Sequence, residues 1–279
     1  MNQLLEDFQN DGYVIIKNAI TLKTLNSFED TIIRVCSKLL NEINTKPNQF
    51  IRANKHSHYL NKYNKLQTLC KEDPKRFYLL CSNIGASLEG LRLFQSPKLR
   101  QALRTIAGVH SGDLFPMPWN IFYNQKGVTR LAYDLHQESV AFPTVQTTYH
   151  IWTPLFHSIR SENGPLVVLR GSHKEVFPYQ AVEAKDSVTQ LHIDPKLLEK
   201  FKRVECNFDR GTAILFHHNL VHGTGTNTSE KPRIACSARF LDLKNNTLNP
   251  NFEPYVQYYF SSKESRKAVD EQKVIKSNS

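Results

Sequence analysis

The chain contains no apolar run of transmembrane length, and its opening residues, MNQLLEDFQND, carry neither a basic leader nor a cleavage pattern. Neither a membrane span nor an export signal is expected. Cysteine is scarce and odd in number: Cys36, Cys70, Cys81, Cys206 and Cys236, with no C-x-x-C spacing. That excludes a disulfide framework and a cysteine zinc site, and suits reduced thiols in a cytoplasm. Acidic residues are outnumbered, 26 Asp plus Glu against 36 Lys plus Arg, for a net charge of +10. No internal repeat, low-complexity domain or recognisable nucleic-acid module is present. Tyr59, Tyr63 and Phe77 are interleaved with basic residues, but a nucleic-acid partner is not expected from that alone.

What is there reads as one globule. With 279 residues and 40% hydrophobic content the chain can bury a sizeable core, and a single domain over 1–279 is expected. Residues 2–10 suit a short helix stopping before Gly12, followed by a strand over 13–17. Leu22, Leu25, Phe28, Ile32, Cys36, Leu39 and Ile43 recur at three- and four-residue intervals, one face of an amphipathic helix, with Thr21 as its N-cap. The Asn/Lys-rich stretch 44–76 breaks this periodicity and reads as a basic loop of charge +6. Such a stretch is either a solvated surface or a flap that steers an anionic small molecule to a site. Helices are expected over about 76–94 and 97–107, which makes 1–110 a helical part. Beyond Trp119 short β-branched and aromatic runs take over, at 119–123, 131–138, 146–155, 165–169, 212–216 and 233–241. Helices first and strands afterwards predict an α+β domain with a mainly β core over 119–241 and a surface tail over 261–279.

The chemistry concentrates in two fragments, LHQE at 135–138 and LVHGTGTNTSEKPR at 220–233. If 131–138 is a strand, His136 and Glu138 project to one face and Gln137 away from it. A second imidazole from a distant strand would complete a 2-His-1-carboxylate face that leaves Fe(II) open to a chelating co-substrate and O₂. His222 supplies that imidazole, and Gly223 and Gly225 allow a sharp turn beside it. Arg233 lies eleven residues beyond, where a hairpin would return it; its planar fork suits the distal carboxylate of 2-oxoglutarate. A zinc pair from His218 and His222 competes, but no H-E-x-x-H accompanies it and the glycines oppose a helix.

With a third fragment, ENGPLVVLRGSHK at 162–174, and FQNDGYVIIKNAI at 8–20, the sequence resembles the phytanoyl-CoA dioxygenase-like (PhyH) family of Fe(II)/2-oxoglutarate oxygenases. The resemblance implies a double-stranded β-helix, a jelly-roll or cupin-like barrel with the N-terminal helices packed on one face. It implies His136, Glu138 and His222 as catalytic iron ligands and Arg233 as the anchor of 2-oxoglutarate. Thr224 matches a hydroxyl position beside the co-substrate, and Gln137 and Trp152 sit where the family lines that pocket. Two departures stand out. Glu138 replaces the commoner Asp, and Arg170 replaces the Pro before Gly-Ser-His, either loosening that loop or placing a cation at the site mouth. The retained carboxylate argues against halogenation.

The expected activity is hydroxylation of an unactivated C–H of a small polar or anionic metabolite, such as a sugar or a phosphorylated, carrier-linked or CoA-linked molecule, with release of succinate and CO₂. Two other readings stay open: a non-catalytic ligand-binding or 2-oxoglutarate-sensing protein, and a cupin-like metalloenzyme that uses no 2-oxoglutarate. The prime substrate, the oxidative outcome and the oligomeric state are not encoded in any motif found here.

Overall fold

The computed structural model describes residues 3–43, 58–110, 113–116, 119–126, 133–140, 148–183 and 189–242. The tail over 261–279, residues 44–57 of the basic stretch and most of the 139–146 segment lie outside these. The elements run α1 (Gln3–Asp11), β1 (Tyr13–Ile16), α2 (Leu22–Ile43), α3 (His58–Glu72), α4 (Pro74–Asn83), α5 (Leu88–Leu93), α6 (Pro97–Ala107), β2 (Leu114–Pro116), β3 (Asn120–Asn124), β4 (Thr148–Pro154), β5 (Leu166–Leu169), β6 (Gln180–Glu183), β7 (Thr189–His192), β8 (Arg203–Cys206), β9 (Ala213–His217), β10 (His222–Thr224) and β11 (Arg233–Asp242).

The N-terminal half follows its sequence signals closely. Gly12, at φ +82°, ends α1 in the left-handed conformation that glycine adopts without strain. Thr21 caps α2 by accepting a hydrogen bond from the Thr24 amide at 3.2 Å, and the predicted stripe buries Leu25, Phe28, Ile32 and Cys36. The helix expected over 76–94 is instead broken into α4 and α5. A Cβ on Gly85 would come within 2.0 Å of the Trp119 carbonyl oxygen, so the chain bends at this close approach. Ser87 then caps α5 by accepting from the Gly90 amide. The described part of 44–76 is not a loop but α3 and the start of α4, with Lys65 donating to Ser37 on α2 and Arg76 paired with Glu42 and Asp73.

The strands form a six-stranded antiparallel sheet in the order β1-β9-β4-β11-β2, with β3 also on β11, a three-stranded sheet β10-β5-β8, and the hairpin β6-β7. Alternation along the strands divides the large sheet into two faces. Ile151, Leu215, Ile234 and Cys236 turn outward into one hydrophobic core with α2, α4 and α6, and Tyr123 meets Phe77 of α4 edge to face at 5.2 Å. Trp152, Ile214, Phe216 and Ala235 turn inward and pack against Leu166, Val168, Cys206 and Phe208 of the smaller sheet and its flank. Each fully buried Val, Leu, Ile or Phe among them contributes about 1.5–3 kcal/mol.

The barrel expected over 119–241 is therefore corrected. The fold is α+β with N-terminal helices on one sheet face, but the described strands do not curl into a closed barrel. Closure requires each strand to be hydrogen-bonded on both sides; here side-chain packing, not a ladder, joins the two sheets. The hairpin from His222 to Arg233 is corrected too, because β10 joins the small sheet and β11 the large one. Nor is 133–138 a strand: it is a loop with a single bridge at His136, leading into a 3-10 turn over Glu138–Val140.

Candidate metal centre

Two backbone hydrogen bonds hold the loop against β10. The His136 amide donates to the His222 carbonyl at 2.9 Å, and the His222 amide returns one at 3.0 Å. A hydrogen-bonded antiparallel pair turns its two side chains to the same side, and the imidazole centroids lie 4.5 Å apart. The Glu138 amide donates to the His218 carbonyl at 3.1 Å, which folds the chain so that Glu138 comes to the same point. The close contact needs Gly223, since a Cβ there would meet the Tyr133 and Asp134 carbonyl oxygens at 3.0 Å. This glycine serves approach rather than the sharp turn expected of it. So does Gly225, whose Cβ would meet Pro165 at 2.9 Å.

One ligand atom from each of His136, Glu138 and His222 falls within 4.8 Å of the others. Nδ1 of His136 lies 2.7 Å from the Asp134 carbonyl, and Nδ1 of His222 lies 2.9 Å from that of Leu220. A carbonyl only accepts, so each Nδ1 carries the proton and each Nε2 presents a lone pair. Both Nε2 atoms face Glu138 Oε2, at 3.6 and 3.8 Å. Burial, with His136 alongside, pushes the His222 pKa down to about 3, so this ring is neutral, the form that ligates. Burial alone would push the Glu138 carboxyl up; Arg239 and His136 override it and hold the group well below the usual carboxylate range. Two imidazoles and one carboxylate, with no thiolate, suit Fe(II).

Arg233 lies on the inner face of β11 and is 1% exposed. Its guanidinium sits 6.0 Å from the centroid of the Trp152 ring, and its Nε and Nη2 have no hydrogen-bond partner among the described residues. Burial pushes its pKa down to about 10. Such a guanidinium, with these donors unmet, has the chemistry to receive a carboxylate. Thr224 follows His222 by two on β10, so it faces the same side.

Gln137 is not brought to the centre. Its amide donates to the Glu175 and Asn219 carbonyls at 2.7 and 2.6 Å and accepts from the Phe177 amide at 3.0 Å, pinning the loop from behind. Arg170 is not at a site mouth: its Nε pairs with Asp11 Oδ1 at the end of α1, 2.7 Å away. His218 is engaged by the Thr148 amide and is not part of a metal cluster among the described residues. The described basic helices lie on the outer sheet face, opposite the centre.

Two residues that sequence reasoning did not assign to the site line it. Arg239 reaches Glu138 Oε1, and His150, 1% exposed, lies opposite Arg239 across β4 and β11 with its ring 6.4 Å from that of His222. The signal was available in each strand: Arg239 is six residues from Arg233 and His150 two from Trp152, even steps that share a face.

Comparison with known proteins accords with this geometry. The chain is 24% identical over 241 residues to the peroxisomal phytanoyl-CoA dioxygenase of Bos taurus, an alignment covering 84% of this chain and 66% of that protein. It resembles the crystal structure of EvdO2 from Micromonospora carbonacea var. aurantiaca complexed with 2-oxoglutarate, with TM-score 0.56, 16% identity, and coverage of 91% and 96%. It also resembles the epimerase SnoN in complex with Fe3+, alpha ketoglutarate and nogalamycin RO, with TM-score 0.55, 17% identity, and coverage of 86% and 82%. These two likenesses show a shared fold. The cytoplasmic location expected from the sequence is overturned by the peroxisomal relatives, because free thiols fit any reducing compartment and do not single out the cytoplasm. Among the described residues no helix is long and apolar enough to cross a membrane. The sequence profile of Phytanoyl-CoA dioxygenase (PhyH) matches residues 8–235, and the chain belongs to that family.

Proposed function

We propose that this protein is an Fe(II)- and 2-oxoglutarate-dependent oxygenase that hydroxylates an unactivated C–H of a small polar or anionic metabolite. The observation that carries this is the pairing of a two-imidazole, one-carboxylate triad with a buried guanidinium whose Nε and Nη2 find no partner among the described residues. A metal-only enzyme or a cupin-like lyase has no use for the second feature. When bound, iron with 2-oxoglutarate and O₂ supplies the oxidation: one oxygen atom enters the substrate and the other enters succinate as CO₂ is lost. His136, Glu138 and His222 would hold the metal. Arg233, stacked near Trp152, would hold the far carboxylate of the oxoacid and so orient its chelating end. Thr224 would support that carboxylate region.

Arg239 cannot take over the Arg233 role. It is committed to Glu138, and six residues of strand set the two Cα atoms about 20 Å apart. The charge balance favours an anionic substrate, because the inner face carries Arg233 and Arg239 against Glu138, and a dication and a dianionic oxoacid add no net charge. The continuous core between helices and large sheet supports a single working domain.

The test is an anaerobic Fe(II) titration with 2-oxoglutarate, followed through the visible metal-to-ligand charge-transfer band. A band that vanishes in His136→Ala supports the assignment. Folded, metal-loaded protein without a band rejects it.

A further inference from the structure

Glu138 presents its two carboxylate oxygens to different partners. Oε2 faces both imidazole Nε2 atoms, at 3.6 and 3.8 Å, while Oε1 is taken by Arg239 Nη2. The arginine comes from 101 residues away in sequence, on a strand fixed by ladders to β4 on one side and β2 on the other. Its cross-strand neighbour His150 is buried and tied through Nε2 to Thr148 Oγ1 at 3.1 Å. A glutamate has one more rotatable bond than an aspartate, so a Glu ligand left alone can swing and can offer either oxygen or both.

We propose that Arg239 is a positioning residue that locks Glu138 Oε1, so that this longer ligand meets the metal through Oε2 alone. The proposal rests on the iron-centre reading above. It differs in sign from plain electrostatics. A cation beside a metal dication repels it, so at a pH where Glu138 is ionised in every protein compared, removing the charge without any positioning role would tighten metal binding. Loss of positioning weakens it.

The experiment is Co(II) and Fe(II) titration of metal-free protein without co-substrate, with the Co(II) ligand-field spectrum recorded. The proteins compared are wild type, R239Q, R239K, E138A and E138A/R239Q. The expected result is about 10–100-fold weaker metal binding in R239Q, the range for lost outer partners of a ligand. Its Co(II) spectrum should move toward higher coordination as the freed carboxylate offers its second oxygen. E138A/R239Q should bind no more weakly than E138A, because no carboxylate is left to position.

R239Q binding as tightly as wild type or more tightly, or an equal loss in the E138A background, overturns the proposal while leaving the iron centre standing. Wild-type protein that binds neither metal overturns both. Circular dichroism reports folding. Should R239Q fail to fold, R239K decides, since it keeps the charge without the planar fork: an altered spectrum with weaker binding supports the lock, and wild-type behaviour overturns it.

Discussion

Replacing Arg233 with methionine is expected to stabilise the ligand-free protein while disabling its co-substrate site. Burial pushes the guanidinium's pKa from 12.5 down to about 10, which corresponds to about 3 kcal/mol acting against the charged form in the fold. The group is a base whose folded pKa is depressed, so this penalty is fully present below about pH 10 and is relieved only as pH rises beyond it. The contact with the Trp152 ring at 6.0 Å returns about 1 kcal/mol. Methionine fills a similar volume without a charge, and a net gain of about 2 kcal/mol follows, or roughly 4 °C in Tm for a chain of this size. The same change removes a buried bidentate partner of the oxoacid. Truncating such a pair costs about 2–5 kcal/mol, so 2-oxoglutarate affinity should fall at least about 30-fold. Calorimetry of the metal-free proteins and anaerobic titration of the metal-loaded ones measure both quantities. A ligand-free variant that melts lower than wild type, with 2-oxoglutarate binding intact, would refute the reasoning. The stability gain separates a receptor for an absent anion from a merely structural arginine.

Other consequences are testable on the same preparations. His222→Ala should abolish Fe(II) retention and the charge-transfer band without unfolding the sheets, as read by metal analysis and circular dichroism. Gln137→Ala strands two carbonyls and one amide, each at about 1–3 kcal/mol; its Tm and Fe(II) affinity should both drop, whereas 2-oxoglutarate affinity of the iron-loaded fraction should not. Gly223→Ala requires the 133–134 backbone to give by a few tenths of an ångström, so metal binding should weaken more than thermal stability. Burial holds His217 at about 3 and His157 at about 4. Below the unfolded value of 6.5 the unfolded chain therefore takes up protons that the fold refuses, and stability falls with pH. At pH 5 each contributes a loss of about 2 kcal/mol; a Tm that stays flat between pH 7 and 5 would contradict both burials.

The sequence was most legible where function depends on neighbours along the chain. The α2 stripe, its Thr21 cap and the stop at Gly12 all follow from local periodicity and φ preference, and so do the spans of β4, β5, β9 and β11. That His136, Glu138 and His222 come together was legible as well, but the reason given for their convergence was not. His136 and Glu138 were expected to share a strand face; instead, the reciprocal backbone pair with His222 and the bond from Glu138 to the His218 carbonyl gather them from a loop. Period-two reasoning does not reach a loop shaped by contacts some 80 residues away. The same limit explains Gln137, which faces away from the ligands as predicted yet anchors the loop instead of lining a co-substrate pocket. It also explains the expected barrel, since alternation tells which side of a strand is buried and is silent on which edge it joins, so β10 and β11 could be placed in different sheets without altering the pattern. Arg239 shows where local reading and fold must be combined. Its even spacing from Arg233 placed it on the inner face, but only the meeting of β11 with the 133–138 loop gives it a partner. That partner is the Glu that departs from the commoner Asp. A longer ligand and a guanidinium that fixes its outer oxygen are one arrangement distributed over 101 residues, and reading either alone makes the glutamate look like a mere loss of precision.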